Sequence, residues 1–151
     1  GGQHDPGTQR AGGQGIPEIH VVAGGHDDAG PGRTRGDGGA TIYEQGKKPL
    51  HTFAFTLLDT EIKDFTGAGD TYATAFLLFY DQTNDTKLAS VIASLYAAIK
   101  IAGLHGIGME SIPGKLEIAL FLESRKNRLH EFLKSNSITA DIKKYIFDNS
   151  Q

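Results

Sequence analysis

A short run of small residues that leads into a long amphipathic segment constrains the fold of this chain most strongly. The run is Gly67-Ala68-Gly69-Asp70, and the amphipathic segment continues to Tyr80. Small residues leave the backbone accessible, so successive N–H groups can converge on an anion at the start of a helix. Asp70 falls in the first helical turn, which puts its carboxylate beside such an anion. A carboxylate in that position suits a general base better than a binding group.

The same residues resemble the second sequence signature of the ribokinase-like carbohydrate kinases, the PfkB family, in the stretch from Asp64 to Asp70. The resemblance implies that Gly67–Gly69 forms an anion hole for the transferred phosphoryl group and that Asp70 is the catalytic base. Phe65 and Thr74 depart from the usual pattern, and we interpret both as packing variants. The alternative is a glycine-containing helix start with Asp70 as a first-turn charge.

A glycine-rich turn further upstream is similar to the same family. It spans Thr34-Arg35-Gly36-Asp37-Gly38-Gly39. Its glycines allow positive φ and close backbone approach, and the side chains of Thr34 and Arg35 are suited to phosphate oxygens. The nucleotide-binding residues implied by the resemblance are Thr34, Arg35, Gly36 and Gly39. Glycine-rich turns are also common hairpin connectors, so this match depends on its spacing to the small-residue run.

An alanine-rich helix predicted over 86–102, followed by a glycine-containing turn and an Ile-Pro pair, is also typical of the family. The resemblance places Ser94 of this helix near the adenine, and ordinary small-residue helix packing is the alternative for that residue. Either Asp85 or Asn84 is expected to cap the helix.

The resemblance implies ATP and Mg²⁺ as cofactors. For many family members it also implies a monovalent cation, K⁺, bound by residues at the positions of Asp64 and Thr66. Carbonyl groups from the turn near Gly103 and Gly106 would complete that cation site.

The pattern of the chain predicts strands followed by helices. The expected elements are strands at 40–44 and 49–57, a short strand near 61–63, and helices at 68–81, 86–102, about 114–134 and about 138–147. The third helix carries an apolar stripe that is expected to pack in the core. This stripe consists of Leu116, Ala119, Leu120, Leu122 and Leu129.

The first 33 residues differ in composition from the rest of the chain. They hold ten of the 20 glycines and no lysine, and one strand is predicted in them, at Ile19–Ala23. Glycine-rich coil buries too little apolar surface to offset its ordering entropy. We therefore assign 1–33 to a segment that is disordered or foreign to the family. Three origins stay open: a stretch out of frame or added in cloning, a divergent loop with Ile19–Ala23 as a displaced strand, or a metal-binding motif with His20 and His26.

Composition narrows the functional classes. The chain has 151 residues, no cysteine and a formal charge of −3. Disulfides and thiolate zinc sites are therefore excluded, and the charge gives no electrostatic basis for binding nucleic acid. Because we find neither a signal-peptide pattern nor an apolar run of about 20 residues, we expect a cytoplasmic protein with no membrane partner.

These matches predict an α/β fold for 34–151, namely the C-terminal part of a ribokinase-like three-layer α/β/α sandwich without its N-terminal strands and lid. The implied activity is ATP-dependent phosphorylation of an alcohol group on a sugar, polyol or nucleoside. The acceptor-binding motifs of the family are missing, so we expect little or no activity from the isolated chain.

Two alternatives to a kinase stay open. One is a non-catalytic nucleotide- or phosphate-binding module, such as a degenerate kinase half with a regulatory or dimerising role. The other is a structural α/β fragment in which Gly67–Asp70 is only a helix cap. The expected partners are a nucleotide and a small sugar, polyol or nucleoside, and a homodimer is left open.

Overall fold

The computed structural model describes residues 8–11, 19–23, 39–103 and 112–148. The strands are β1 (Thr8–Ala11), β2 (Ile19–Ala23), β3 (Ala40–Glu44) and β4 (Leu50–Thr52). The helices are α1 (Ala68–Thr83), α2 (Thr86–Ile101), α3 (Lys115–Glu123) and α4 (Lys126–Ser135), with a 3₁₀ turn at Asp59–Glu61 and a π-helical turn at Lys144–Asp148. The described chain thus combines a sheet with helices that follow it, as the predicted α/β class requires.

The four strands form one antiparallel sheet in the order β1-β2-β3-β4. Val21 lies opposite Ile42, and both side chains are buried. Tyr43, the next residue of β3, is 45 % exposed. Since neighbouring residues of a strand point to opposite faces, one face of the sheet packs in the core and the other is more exposed.

The strand predicted at Ile19–Ala23 is confirmed, and it pairs with β3 along its whole length. Its residues Ile19 and Val21 are buried. Strand β1 was not predicted, because its sequence Thr-Gln-Arg-Ala lacks apolar alternation. The separate character of 1–33 stays a prediction.

Helices α1 and α2 pack against each other and against the buried face of the sheet. Two neighbouring polar residues form the junction between these helices, and each has a different role. Asn84 adopts a left-handed conformation with φ of 56° and ends α1. Asp85 is the N-cap of α2, because its Oδ1 accepts a hydrogen bond of 3.0 Å from the Leu88 N–H. Of the two capping residues predicted, Asp85 is therefore confirmed.

The segment after β4 differs from the sequence prediction. The strand expected at 49–57 ends at Thr52, and the strand expected near 61–63 is replaced by the 3₁₀ turn. The side-chain amide of Asn136 takes the place of a further strand, since it pairs with both backbone groups of Phe53. The chain therefore leaves the sheet earlier than its apolar pattern indicates.

The helix predicted over about 114–134 is two helices, α3 and α4, which meet at Ser124 and Arg125. The Ser124 hydroxyl donates to the Leu120 carbonyl at 3.1 Å, and it accepts from Arg125 at 2.7 Å. Arg125 Nε also donates to Glu61 Oε2 at 2.8 Å. These side-chain bonds satisfy the end of α3 and hold the break in place.

The apolar stripe predicted for the third helix is partly wrong. Leu122 and Leu129 are buried, whereas Leu116 is 68 % and Leu120 is 61 % exposed, and Ala119 is exposed too. The break turns the short helix α3 so that its other apolar face packs in the core. That face consists of Ile118, Phe121 and Leu122.

Candidate functional site

The small-residue run forms the turn into α1. Gly67 is the N-cap, with φ of 82°, a left-handed conformation that glycine adopts at no steric cost. The Ala68 N–H donates to the Phe65 carbonyl at 3.1 Å within the turn. In the described part of the chain, the N–H groups of Gly67, Gly69 and Asp70 have no acceptor. Of the three amides predicted for an anion hole, those of Gly67 and Gly69 are therefore available, while that of Ala68 bonds locally.

The turn is braced by Asp64 and by the end of α2. Asp64 Oδ1 accepts a hydrogen bond of 2.9 Å from the Thr66 N–H. The N–H groups of Lys63 and Asp64 both donate to the Ile101 carbonyl, at 2.9 and 3.2 Å. Hydrogen bonds from Thr66 and, less strongly, the charge of Lys100 hold the pKa of the Asp64 carboxyl below its ordinary value. Asp64 and Thr66, predicted to share a cation site, thus lie together.

The side chain of Lys100 lies against the turn. A methyl group built on Gly67 would lie 3.0 Å from Lys100 Cε and 3.6 Å from Nζ. Sequence reasoning missed this residue, because a lysine in the last turn of a helix is ordinarily a solvated group that favours the helix dipole. The structure adds an ammonium group to the predicted anion site.

Asp70, the predicted catalytic base, lies in the first turn of α1 and is exposed. Its carboxylate forms no hydrogen bond or ion pair with any other residue that the structure describes. It is therefore open to solvent and to a ligand placed at the start of α1.

A pocket of about 270 Å³ lies between the segment that follows β4 and helices α1 and α2. Its lining is Gly39, Ala54, Phe55, Leu57, Ile62, Phe65, Ala68, Gly69, Tyr72, Ser94, Ala97, Ala98 and Ile101. It brings together Gly39, Ser94 and Gly69, which come from three separate sequence matches. The lining is mostly apolar, and its side-chain hydroxyl groups belong to Tyr72 and Ser94.

The two hydroxyl groups differ in how they are used. The Tyr72 hydroxyl and Ser90 Oγ are 2.6 Å apart, and Ser90 Oγ lies 2.8 Å from Thr52 Oγ1. Burial raises the pKa of Tyr72, so it remains a neutral phenol. The Ser94 hydroxyl has no hydrogen-bond partner within the described residues, which leaves it for a ligand in the pocket. The Tyr72–Ser90–Thr52 chain was not predicted, because its members are far apart in sequence.

Gly39 is required by packing, whatever binds in the pocket. Its φ is 65°, and a Cβ built on it would lie 2.0 Å from the Thr52 carbonyl oxygen. The start of β3 therefore passes too close to the end of β4 for any side chain. The other predicted residues of that turn, Thr34, Arg35 and Gly36, lie outside the described residues, as does Gly106.

In the described ranges, no three His, Cys, Asp or Glu side chains cluster closely enough to hold a metal ion. Nor does any helix in those ranges have the length and apolar character needed to cross a membrane. Comparisons of the chain with family models, curated proteins and solved structures gave no match. The functional assignment therefore depends on the geometry of the pocket and on the sequence resemblance.

Proposed function

We propose that this chain is the nucleotide-binding part of a ribokinase-like kinase. Its reaction would be the ATP-dependent transfer of a phosphoryl group to an alcohol on a sugar, polyol or nucleoside. The observation that carries this proposal is the single pocket lined by Gly39, Ser94 and Gly69. Packing alone accounts for Gly39, so the support lies in its coming together with Ser94 and Gly69, the other positions that the resemblance implies contact a nucleotide.

The pocket suits the base of the nucleotide better than its phosphates. Its volume of about 270 Å³ is below the roughly 300–1,000 Å³ of sites that enclose a drug-sized ligand. We assign it to the adenine, with Ser94 as the available hydroxyl group. The phosphates would then extend to the start of α1, where the amides of Gly67 and Gly69 and the helix dipole favour an anion.

Asp70 is the proposed base. It follows Gly69 directly, so an alcohol that approaches a phosphate held by the turn would come within reach of its carboxylate. When bound, Mg²⁺ would neutralise charge on the phosphates, and carboxylate and phosphate oxygens are the ligands it takes. Phosphoryl transfer depends mainly on positioning and charge stabilisation, which are the features that this site offers.

At the level of the fold, we propose that β3, β4, α1 and α2 belong to one side of the three-layer sandwich. The support is that α1 and α2 cover one face of the sheet, while Tyr43 on the other face is 45 % exposed. The described sheet is antiparallel and does not itself supply the parallel strands of an α/β/α sandwich.

The proposal is tested first by nucleotide binding. A Cβ on Gly69 would meet nothing within 4 Å, so Gly69→Val should fold normally and place its side chain where the pocket meets the start of α1. We expect Gly69→Val to weaken ATP binding about tenfold or more in calorimetric titrations, because its side chain would hold the phosphate away from the backbone amides and so prevent charged hydrogen bonds. The exposed position Thr74 of the same helix supplies the control, Thr74→Val, which should bind like wild type. Equal ATP affinity of Gly69→Val and wild type would refute the anion hole.

The kinase step is tested by Asp70→Asn with a panel of sugars, polyols and nucleosides. For any acceptor that is turned over, the variant should lose roughly 10²–10⁴ in rate while it still binds ATP, as for a removed general base. Asp81→Asn removes an exposed carboxylate from the far end of α1 and should leave the rate unchanged. Near-normal turnover by Asp70→Asn would rule out the base assignment.

A second candidate function is nucleotide binding without transfer. It is favoured by the Asp70 carboxylate, which no other described residue orients by a hydrogen bond or ion pair. ATP binding at the pocket, combined with no turnover of any acceptor in the panel, would establish this candidate instead.

A further inference from the structure

A positively charged side chain, that of Lys100, lies against the turn before α1. The Lys100 chain passes over Gly67, with its Nζ 3.6 Å from a methyl group built there. Its neighbours on α2, Ala97 and Ile101, line the pocket. The ammonium group therefore lies beside Gly67, next to residues that line the pocket.

This arrangement disagrees with the metal cation expected at Asp64 and Thr66. Asp64 Oδ1 is occupied by the Thr66 N–H, and the Ile101 carbonyl accepts hydrogen bonds from both Lys63 and Asp64. A K⁺ ion beside Asp64 would in addition be repelled by the Lys100 ammonium, and such like-charge repulsion is strong outside bulk water. Within the described residues, Asp64 Oδ1 and the Ile101 carbonyl are thus already hydrogen-bonded, and a K⁺ ion there would have to compete with a nearby ammonium group.

We propose that Lys100 supplies the positive charge at the phosphate end of this site, in place of a monovalent metal ion. The proposal rests on the proposed nucleotide function, because a phosphate must reach the Thr66–Gly67 turn for Lys100 to contact it. The Lys100 side chain is half-buried and its helix is held to the turn by the Ile101 carbonyl. Its charge is therefore placed in advance, which reduces the ordering cost of binding.

The test compares ATP with adenosine, which has the same base and sugar and no phosphate. Lys100→Met should lower ATP affinity about 10–100-fold, the range for losing a charged hydrogen-bond partner, and should leave adenosine affinity unchanged. Lys87→Met removes a lysine from the first turn of the same helix and is the matched control for charge loss. Wild-type ATP affinity should be equal in KCl and in tetramethylammonium chloride at the same ionic strength.

Two results would overturn the proposal while leaving the proposed function standing. One is ATP binding by Lys100→Met that matches wild type and Lys87→Met. The other is wild-type ATP affinity that depends on KCl. If the wild-type chain binds neither ATP nor adenosine, the proposed function itself fails. Unchanged adenosine binding by Lys100→Met shows that the variant is folded, so a loss confined to ATP cannot come from unfolding.

Discussion

Two glycines with left-handed φ angles allow the energetic cost of a steric clash to be measured separately from the cost of backbone strain. A Cβ on Gly39 would lie 2.0 Å from the Thr52 carbonyl oxygen, whereas a Cβ on Gly46 would meet nothing within 4 Å. We expect Gly46→Ala to cost about 1–2 kcal/mol, the strain of a left-handed alanine. Gly39→Ala should cost about 1–3 kcal/mol more, because β3 and β4 must also move apart.

Urea unfolding followed by circular dichroism measures both free energies of unfolding. Equal losses of unfolding free energy in Gly39→Ala and Gly46→Ala would show that the close approach of Gly39 to Thr52 does not affect stability. The comparison also bears on function, since a Gly39 held by packing alone would line the pocket without contacting the ligand.

The sequence identifies which single positions need glycine better than it identifies why. Gly67 was predicted as a small residue that leaves its N–H group accessible, and its φ of 82° is a second reason for glycine; the positive φ predicted for Gly39 is confirmed at 65°. Gly39 was predicted as a phosphate contact, while the reason that the structure supplies is the carbonyl of Thr52. That carbonyl belongs to another strand, and a contact between strands is not encoded in the spacing of one turn.

Glu61 ties the segment after β4 to helix α4. Its carboxylate accepts from Arg125 Nε at 2.8 Å and from both terminal nitrogens of Arg128 at 2.6 Å. The Leu58 N–H also donates to it, at 2.7 Å. The Arg128 guanidinium and these further donors lower the pKa of Glu61 to about 2, although partial burial opposes the shift. Two-point Arg–carboxylate pairing is among the stronger ionic contacts of proteins.

The low pKa of Glu61 predicts a pH dependence of stability. A carboxylate whose pKa is lower in the folded state stabilises the fold fully at pH values above its unfolded-state pKa. It loses that stabilisation as the pH falls toward its folded-state pKa. Glu61 should therefore lose its contribution to stability as the pH falls from about 4.5 to about 2. Glu61→Gln should be less stable than wild type by about 1–2 kcal/mol at pH 7, allowing for solvent screening, and the difference should vanish near pH 2.

Urea unfolding at several pH values measures this difference, with Glu131→Gln on the exposed face of α4 as control. The control should differ from wild type by less than about 0.5 kcal/mol at every pH. A wild-type advantage over Glu61→Gln that stays constant between pH 7 and pH 3 would contradict the assignment.

Asn136 connects the segment after β4 to the end of α4. Its side-chain amide forms hydrogen bonds of the kind that a neighbouring strand would form. It accepts from the Phe53 N–H at 2.8 Å and donates to the Phe53 and Phe132 carbonyls at 3.2 and 3.1 Å. The residue is 4 % exposed, so Asn136→Ala would remove the partner of both Phe53 backbone groups, while the Phe132 carbonyl keeps its bond from the residue's own N–H. We expect a loss of about 1–3 kcal/mol in urea unfolding, whereas Asn127→Ala on the exposed side of α4 should be neutral. A neutral Asn136→Ala would show that water replaces the amide.

The helices were predictable where local signals agree and were not where distant side chains decide. The starts of α1 and α2 follow from the small-residue turn and from the Asp85 cap, both of which are local. The break between α3 and α4 has no proline or glycine, and it depends on Glu61, more than sixty residues upstream of Arg125. The helical spacing of apolar residues therefore continues across the break, where contacts with a distant part of the chain end the helix.

Assembly of the sheet with the helices is the part that the sequence predicts least. The pairing of β2 with β3 joins residues on either side of the glycine-rich stretch, and no local pattern specifies it. The pocket depends on long-range packing too, because its lining comes from Gly39 before β3, from the segment after β4 and from both long helices. The sequence predicted three sets of site residues, and packing brings one member of each, Gly39, Ser94 and Gly69, to the same pocket.

The buried hydroxyl chain offers a test of that assembly. Thr52 lies on β4, Ser90 on α2 and Tyr72 on α1, and Ser90 Oγ lies within 2.8 Å of both partner oxygens. Thr52 and Ser90 are 0 % and Tyr72 is 5 % exposed, so water does not readily replace a lost partner. Ser90→Ala leaves two buried hydroxyl groups unpaired, and we expect it to cost about 2–3 kcal/mol.

Removing the partners together separates this polar effect from simple loss of packing. Tyr72→Phe takes away one of the groups that Ser90→Ala leaves unpaired, so the double variant should be more stable than the sum of the single losses by about 0.5–3 kcal/mol. Calorimetric or urea unfolding of the four proteins gives the coupling energy. Strict additivity would mean that β4, α1 and α2 are held together by apolar contacts alone, and that the hydroxyl groups find other partners once Ser90 is gone.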